Sequence, residues 1–231
     1  SVNDLISYKS KYENPMDDGS NIIGTVSTSI TTGEKSRNIE LIKNALIKRG
    51  ITNPYTIKAI LSVIGKESDY IPKEEKSYKN TSNSRIRKIF GSRVSGLSDS
   101  ELDSLKSNDL DFWDRVYGID DPTGRGKKYG NTKEGDGYKY SGRGFNQLTY
   151  KKNYEKYNKD LGKNGVNFDI VGNPDLVNKP EIAAEVVASY FDNTMRSQTA
   201  RRKYGAKDPN DYKDFETALM SAANANAGYG K

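Results

Sequence analysis

Residues 53–68 read NPYTIKAILSVIGKES, and this stretch predicts a helix that ends in a carboxylate. Asn53 is a favoured capping residue, and Pro54 fits the first helical position, where a backbone N–H is not needed. The apolar positions that recur at helical spacing are Ile57, Ile60, Leu61 and Ile64. The stretch therefore predicts a helix with one buried face.

Glu67 follows this apolar face, three residues after Ile64. We expect its carboxyl to be partly desolvated, because it continues the face that the helix buries. Desolvation raises the pKa of a carboxyl, as acid catalysis near neutral pH requires. Position alone also fits an ordinary surface residue near a helix end, so both interpretations stay open.

Further helices are predicted on both sides of this stretch. One helix is expected to end at Gly50, and Ser98 with Glu101 has the pattern of a capping box. Pro180 opens a long helical pattern, and residues 213–224 form the last one. The fold class is therefore expected to be mainly α.

Two segments have a different composition. Residues 1–36, rich in Gly, Ser and Thr, are expected to form a linker or loosely ordered N-terminal arm before a catalytic domain over residues 37–231. The C-terminal end of that domain is expected to be truncated, with a last helix or a further domain missing, and no signal peptide is visible at the start. Residues 118–148 contain eight glycines, which predicts a long loop with short strands at 138–141 and 145–148.

The composition narrows the possible chemistry. The 231 residues include no cysteine and no histidine, which excludes thiol nucleophiles, Ser-His-Asp triads and metal sites with Cys or His ligands. Proton transfer then falls to Asp, Glu, Lys or Tyr, and paired carboxylates lead by elimination. The net charge of +6 favours an anionic partner such as nucleic acid, an anionic membrane or a cell wall with teichoic acid.

A second pair of carboxylates, Glu74 and Glu75, lies in a predicted loop beyond Ile71 and Pro72. A loop that folds back can present one of them to Glu67, and two carboxylates with separated pKa values are the basis of glycoside hydrolysis. A solvated run of charges explains the same residues, so this interpretation also stays open.

The segment YKYSGRGFNQLTYKKNY, residues 138–154, offers groups suited to sugar recognition. Its glycines allow the backbone to approach a ligand closely, and Arg143 fits a structural anchor for carbonyls or a carboxylate. Tyr140 offers a stacking face and a hydroxyl. The amide and hydroxyl groups that suit sugar contacts belong to Gln147, Thr149 and Asn153.

These motifs in their order resemble the family-19 glycoside hydrolases, and within them the phage endolysins and bacterial chitinase-like lysozymes. The resemblance rests on GKES at 65–68, PKEEKSYKNTSNSRIRKIFGSR at 72–93, GDGYKYSGRGFNQLTYKKNY at 135–154 and NPDLVNKPEIAAEVVASYF at 173–191. It implies a lysozyme-like, two-lobed helical domain with a central cleft and a long Gly-rich loop.

The resemblance also implies roles for individual residues. Glu67 matches the family's acid, and Glu75 matches the base that activates water, with Glu74 as the alternative. The positions that match contacts to substrate or water are Ser77, Gln147, Thr149, Asn153 and, poorly, Asn226. Lys66 replaces the usual His before the acid, and a nearby cation opposes a raised pKa for Glu67 unless it points away.

We therefore expect a peptidoglycan-degrading, endolysin-type glycoside hydrolase that cleaves β-1,4 bonds between N-acetylated amino sugars with inversion. The alternatives are a chitinase, a lytic transglycosylase and a non-catalytic wall-binding module. No cofactor, metal, nucleic acid or membrane span is expected. The expected place of action is the cell wall, from outside the cell, the periplasm or a virion, and a larger lytic or phage-tail assembly is a further candidate partner.

Overall fold

The structure is a computed structural model that describes residues 26–197 and 208–227. The chain is mainly helical, which confirms the fold class, and it divides into two compact units. The described residues of the first unit come from the two ends of the chain, 26–72 and 179–227, and the second unit spans Lys73–Asn178. The lysozyme-like superfamily, the two lobes and the cleft stay predictions. No helix in the described residues is long and apolar enough to cross a membrane.

The described residues of the first unit form four helices. They are α1 (Val26–Lys48), α2 (Pro54–Ser68), α9 (Pro180–Met195) and α10 (Phe215–Ala227), with a short 3-10 turn at Pro209–Asp211. Helix α2 packs against α10, and α1 packs against α9. The predicted cap of α2 is confirmed, because the Asn53 side chain accepts a hydrogen bond from the backbone N–H of Thr56.

Helix α1 differs from the irregular arm expected before residue 37. Residues 26–36 are helical, and residues 1–25 lie outside the described residues. Extending a helix that has already formed costs little, so a segment with weak helical propensity can join one. Lys35 adds an ion pair of 2.6 Å to Asp69, after the end of α2. The assignment of residues 1–36 as a linker and 37–231 as a catalytic domain stays a prediction.

The second unit contains six helices and most of the Gly-rich loop. They are α3 (Asn83–Phe90), α4 (Asp99–Lys106), α5 (Asp109–Tyr117), α6 (Arg125–Lys128), α7 (Asp136–Lys139) and α8 (Lys151–Lys163), with 3-10 turns at Gly91–Arg93 and Pro174–Asn178. The predicted capping box of α4 is confirmed, with Ser98 and Glu101 exchanging both hydrogen bonds. A buried cluster rich in aromatic rings joins α3, α4 and α5.

The strands predicted at 138–141 and 145–148 are wrong. Within the described residues, the segment contains no strand, and its β-bridge is a single antiparallel one between Arg143 and Leu148. A buried carboxylate organises the preceding loop instead. Asp114 of α5 accepts hydrogen bonds from the backbone N–H groups of Gly135 and Gly137, at 2.6 and 2.9 Å. These contacts fix α7 against α5, so the segment turns where an extended strand was expected.

Candidate active site

Glu75 lies where two distant segments of the second unit pair through their backbones. The N–H of Glu75 donates to the carbonyl of Gly142 at 2.8 Å, and the N–H of Lys73 donates to the carbonyl of Gly144 at 3.3 Å. The pairing needs a residue without a side chain at position 142. A Cβ atom there would lie 3.0 Å from Oε2 of Glu75 and 2.8 Å from Oε1 of Gln147. Gly142 therefore lets the two segments meet.

Three donors hold the Glu75 carboxylate. The hydroxyls of Tyr78 and Tyr117 both donate to Oε1, each at 3.1 Å. The N–H of Gly142 donates to Oε2 at a longer 3.3 Å. Two good donors thus occupy Oε1, whereas Oε2 has one weak donor and keeps more capacity to accept a proton.

Burial raises the pKa of Glu75 above the usual value for a carboxyl. The hydrogen bonds from Tyr78, Tyr117 and Gly142 act in the opposite direction, as does the charge of Arg93, but they do not fully offset the burial. A carboxylate with a raised pKa accepts a proton more readily once it is ionised. Glu75 is therefore suited to receive a proton from water.

The two tyrosine donors are themselves part of the aromatic core. The ring of Tyr117 stacks on Trp113 with centroids 5.6 Å apart, and Tyr78 meets Phe90 edge-on at 5.1 Å. Burial and the neighbouring charge of Glu75 raise the pKa of both hydroxyls well above the ordinary value. Both therefore stay protonated and keep donating at neutral pH.

Arg93 connects this core to the segment before α8. Its guanidinium lies over the ring of Tyr117 at 5.5 Å and donates to the hydroxyl of Tyr150 at 3.1 Å. It also lies 3.8 Å from the buried carboxylate of Asp121. No role was predicted for Arg93, Tyr117 or Tyr78, although Arg93 and Tyr78 belong to the motif at residues 72–93 that also contains Glu75.

Glu74 has surroundings unlike those of Glu75. It is exposed, and it pairs at 3.3 Å with Arg143. Arg143 also pairs with Asp175 at 3.0 Å and donates to the carbonyls of Lys139 and Ser141. The side chain of Arg143 is only 4% exposed, so the predicted structural anchor is confirmed. Of the two adjacent carboxylates, Glu75 is therefore the one held by hydroxyls rather than by a cation.

A short chain of hydrogen bonds joins three of the predicted sugar-contacting residues. Gln147 donates through its amide to the carbonyl of Lys73 at 2.7 Å. Thr149 donates to the carbonyl of Gln147 at 2.9 Å, and Asn153 donates to the carbonyl of Thr149 at 2.8 Å. The amide oxygen of Gln147 lies beside Gly142, as Glu75 does. The structure thus brings Gln147 to the Glu75 site.

Ser77 and Tyr140 differ in their access to solvent. Ser77 is exposed, and its hydroxyl donates to Asp109 at 2.5 Å. Tyr140 is only 2% exposed, its ring packs against Tyr154, and its hydroxyl donates to the carbonyl of Val171 at 3.2 Å. Tyr140 therefore does not offer the stacking face that was expected, because the rest of the second unit covers it.

Glu67 and Asn226 belong to the first unit. Glu67 is exposed, so the expected desolvation is not found. The buried face of α2 continues from Ile64 to Ser68, one full turn on, and the hydroxyl of Ser68 donates to the carbonyl of Ile64. Asn226 is half-buried within α10 rather than in a turn. The catalytic role of Glu67 and the substrate contact of Asn226 stay predictions.

Comparison with known proteins gives a partial match. No protein-family model matches the chain. Over 47 residues, 20% of the chain, the sequence is 49% identical to a glycosyl hydrolase family 19 domain-containing protein of Haemophilus influenzae. The match covers 24% of that protein, so the chain spans about a quarter of the length of this relative. This chain is therefore similar, over one short segment, to a protein with a glycosyl hydrolase family 19 domain.

Proposed function

We propose that this chain is a glycoside hydrolase that cleaves β-1,4 bonds between N-acetylated amino sugars of peptidoglycan, with inversion at the anomeric carbon. The observation that carries the proposal is the state of Glu75. Its pKa is raised by burial, two tyrosine hydroxyls occupy Oε1, and Oε2 is the less occupied oxygen. The short match to a glycosyl hydrolase family 19 domain-containing protein supports the same class of reaction.

In the proposed reaction, Oε2 of Glu75 takes a proton from water, and the water oxygen attacks the anomeric carbon. The bond from that carbon to the leaving oxygen breaks, and Glu67 gives its proton to the leaving oxygen. The hydroxyls of Tyr78 and Tyr117 fix the orientation of the Glu75 carboxylate and remain protonated throughout. Positioning of this kind lowers the barrier because the acceptor needs no reorganisation during the reaction.

The sugar contacts are proposed from the segment that pairs with Glu75. Gln147 is the best placed, because its amide oxygen lies beside Gly142. Thr149 and Asn153 follow it in the same chain of hydrogen bonds. Ser77 or Thr149 is proposed to hold the attacking water, and Asn226 is proposed as a further substrate contact.

The polymer is proposed to be peptidoglycan, because a net charge of +6 favours an anionic cell wall over neutral chitin. The proposed place of action is the wall itself, reached from outside the cell, the periplasm or a virion. Membership of a larger lytic or phage-tail assembly is compatible with this. Chitin hydrolysis, lytic transglycosylation and wall binding without catalysis are the outcomes to distinguish.

One set of digests tests the proposal. Purified peptidoglycan and chitin oligosaccharides are incubated with the parent, Glu67→Gln, Glu75→Gln and the control Glu74→Gln. We expect the parent and the control to release reducing ends from peptidoglycan, with α-anomers detected first by NMR, and the other two variants to release about 10²–10⁴-fold less. Anhydro-sugar ends by mass spectrometry, chitin-only activity, binding without cleavage, or full activity of Glu67→Gln would each contradict it.

A further inference from the structure

The positive charge of this chain is concentrated in one segment of the second unit. Residues 125–163 contain eleven lysines and arginines against four acidic residues, a net charge of +7. The whole chain carries +6, so the remaining residues contribute a net charge of −1. A cluster of positive charge attracts polyanions to that part of the surface more strongly than the same charge spread evenly over the protein.

Helix α8 arranges part of this charge in a line. Its inner face buries Tyr154, Tyr157 and Leu161. The opposite face carries lysines spaced four, three and four residues apart, which places them in one row along the helix. These four exposed lysines are Lys152, Lys156, Lys159 and Lys163, and we call them the lysine row. The row extends for about 16 Å, at about 1.5 Å per residue.

Two lysines at the end of α6 lie close to the N-terminal end of the lysine row. The backbone N–H of Lys152 donates to the carbonyl of Tyr129 at 3.0 Å, and its ammonium donates to the carbonyl of Lys128 at 2.8 Å. These contacts hold exposed Lys127 and Lys128 beside the start of the row. Together with the row, these residues place six exposed lysines close to one another, and the buried side of α8 keeps the row in place on the core.

We propose that the lysine row, with Lys127 and Lys128, binds the polyol-phosphate polymer of the cell wall. This inference rests on the proposed function, because it assumes that the chain acts on a wall. The charges suit a flexible phosphate chain, since an ammonium is a compact charge that attracts phosphate without demanding a fixed geometry. Nucleic acid fits less well, because single-stranded nucleic acid is bound by stacking on exposed aromatic rings, and the aromatic rings of α8 face the core.

The lysine row is joined to the Glu75 site through the chain. Helix α8 begins directly after Thr149 and Tyr150, in the segment that also supplies Gly142 and Gln147. Tyr150 packs edge-on against Tyr117, the donor to Glu75, with centroids 5.5 Å apart. A polymer held on the row therefore keeps the second unit on the wall without occupying the carboxylate.

The test compares two variants that lose the same total charge. One replaces the four lysines of the row with Gln. The control replaces exposed lysines outside residues 125–163, and these are Lys79, Lys88, Lys179 and Lys213. Far-UV circular dichroism checks that both fold. Sedimentation measures binding to walls that carry the phosphate polymer and to the same walls after hydrofluoric acid has removed it.

We expect the row variant to bind intact walls about tenfold or more weakly than the parent, because each neutralised phosphate adds to affinity through released counterions. We expect the control to stay close to the parent, and the parent to lose a similar factor on stripped walls. Equal losses for both variants, or equal binding to intact and stripped walls, would overturn the proposal. So would tighter binding to single-stranded DNA or to anionic vesicles than to intact walls.

Hydrolysis is followed separately on a soluble, uncharged peptidoglycan oligosaccharide. If the parent cleaves it and wall binding does not depend on the phosphate polymer, the lysine row proposal fails and the hydrolase proposal stands. If the parent cleaves nothing but binds intact walls through the row, the hydrolase proposal fails and the binding surface stands. The row variant is expected to cleave this substrate at the rate of the parent.

Discussion

The hydroxyl of Tyr117 donates a hydrogen bond of 3.1 Å to Oε1 of Glu75, across 42 residues of sequence. Tyr78 donates to the same oxygen from three residues away. One donor comes from the core helix α5 and the other from the loop that carries Glu75, so the carboxylate is fixed from two sides. The free lone pairs are then concentrated on Oε2, which faces Gly142 and Gln147.

The adjacent carboxylates should respond differently to the same substitution. Glu75→Gln removes the proposed proton acceptor and is expected to lower kcat by about 10²–10⁴-fold. Glu74→Gln removes one exposed partner of Arg143 and is expected to change kcat by less than about threefold, because exposed ion pairs contribute little. Initial rates on peptidoglycan measure both. A large loss in Glu74→Gln with an active Glu75→Gln would reverse the assignment.

Tyr117→Phe should move the acid limb of the pH profile. The hydroxyl lowers the pKa of Glu75, so its removal raises that pKa further. Activity that needs ionised Glu75 then appears at higher pH, and the acid limb of kcat/KM shifts upward. Tyr138→Phe is the matched control, because that ring is 46% exposed in the short helix α7. An unchanged acid limb in Tyr117→Phe would show that the hydrogen bond does not tune the reacting carboxyl.

The contribution of Glu75 to the free energy of unfolding should decrease as pH rises. The raised pKa means that the folded protein holds this proton at pH values where the unfolded chain has released it. The contribution of Glu75 to stability is therefore lost as pH rises from the ordinary carboxyl pKa through the raised one. We expect Glu75→Gln to be more stable than the parent at neutral pH, by about 0.5–2 kcal/mol.

This difference should shrink on acidification and disappear below about pH 4, where the carboxyl of the parent is neutral in both the folded and the unfolded protein. Urea unfolding of the parent, Glu75→Gln and Glu74→Gln at several pH values measures it. The Glu74→Gln curve should run parallel to that of the parent. A Glu75→Gln variant that is less stable than the parent at neutral pH would contradict the sign.

Gly142→Ala should damage the site more than the fold. The added methyl group would lie 3.0 Å from Oε2 of Glu75 and 2.8 Å from Oε1 of Gln147, so both side chains must move. We expect kcat to fall by about 10²-fold, the effect of a small misplacement of reacting groups. Gly162→Ala is the control, since a Cβ there meets nothing within 4 Å inside α8. Full activity of Gly142→Ala would show that Glu75 tolerates displacement.

Arg143→Met should destabilise the second unit. The guanidinium donates to the carbonyls of Lys139 and Ser141 and pairs with Glu74 and Asp175. Its loss leaves the two carbonyls without this donor, at a cost of about 2–3 kcal/mol. Urea unfolding measures the loss, with Arg143→Lys expected to recover only part of it because a compact ammonium cannot reach all four acceptors of the guanidinium. Full stability of Arg143→Met would contradict the anchor.

Several local features were predictable from the sequence because they depend on neighbouring residues. The cap at Asn53, the box of Ser98 and Glu101 and the helix from Pro180 follow from spacing and capping chemistry, and the structure confirms each. The absence of histidine and cysteine left Asp, Glu, Lys and Tyr for proton transfer, with paired carboxylates as the leading candidates, before any fold was known. The resemblance to the family-19 glycoside hydrolases implied a base at Glu75 or Glu74, and that role stays a prediction.

Tertiary structure decided the features that depend on contacts between distant segments. Glu75 and Glu74 are equivalent in a sequence pattern, but the former meets Tyr117 and the latter meets Arg143. Two predictions about burial differ from the structure. Tyr140 is buried beside Val171 and Tyr154, whereas Glu67 is exposed because it lies outside the face that α2 buries. The physical reason is that helical periodicity gives only the direction of a side chain. The desolvation of that side chain and its pKa depend on which groups, distant in sequence, pack around it.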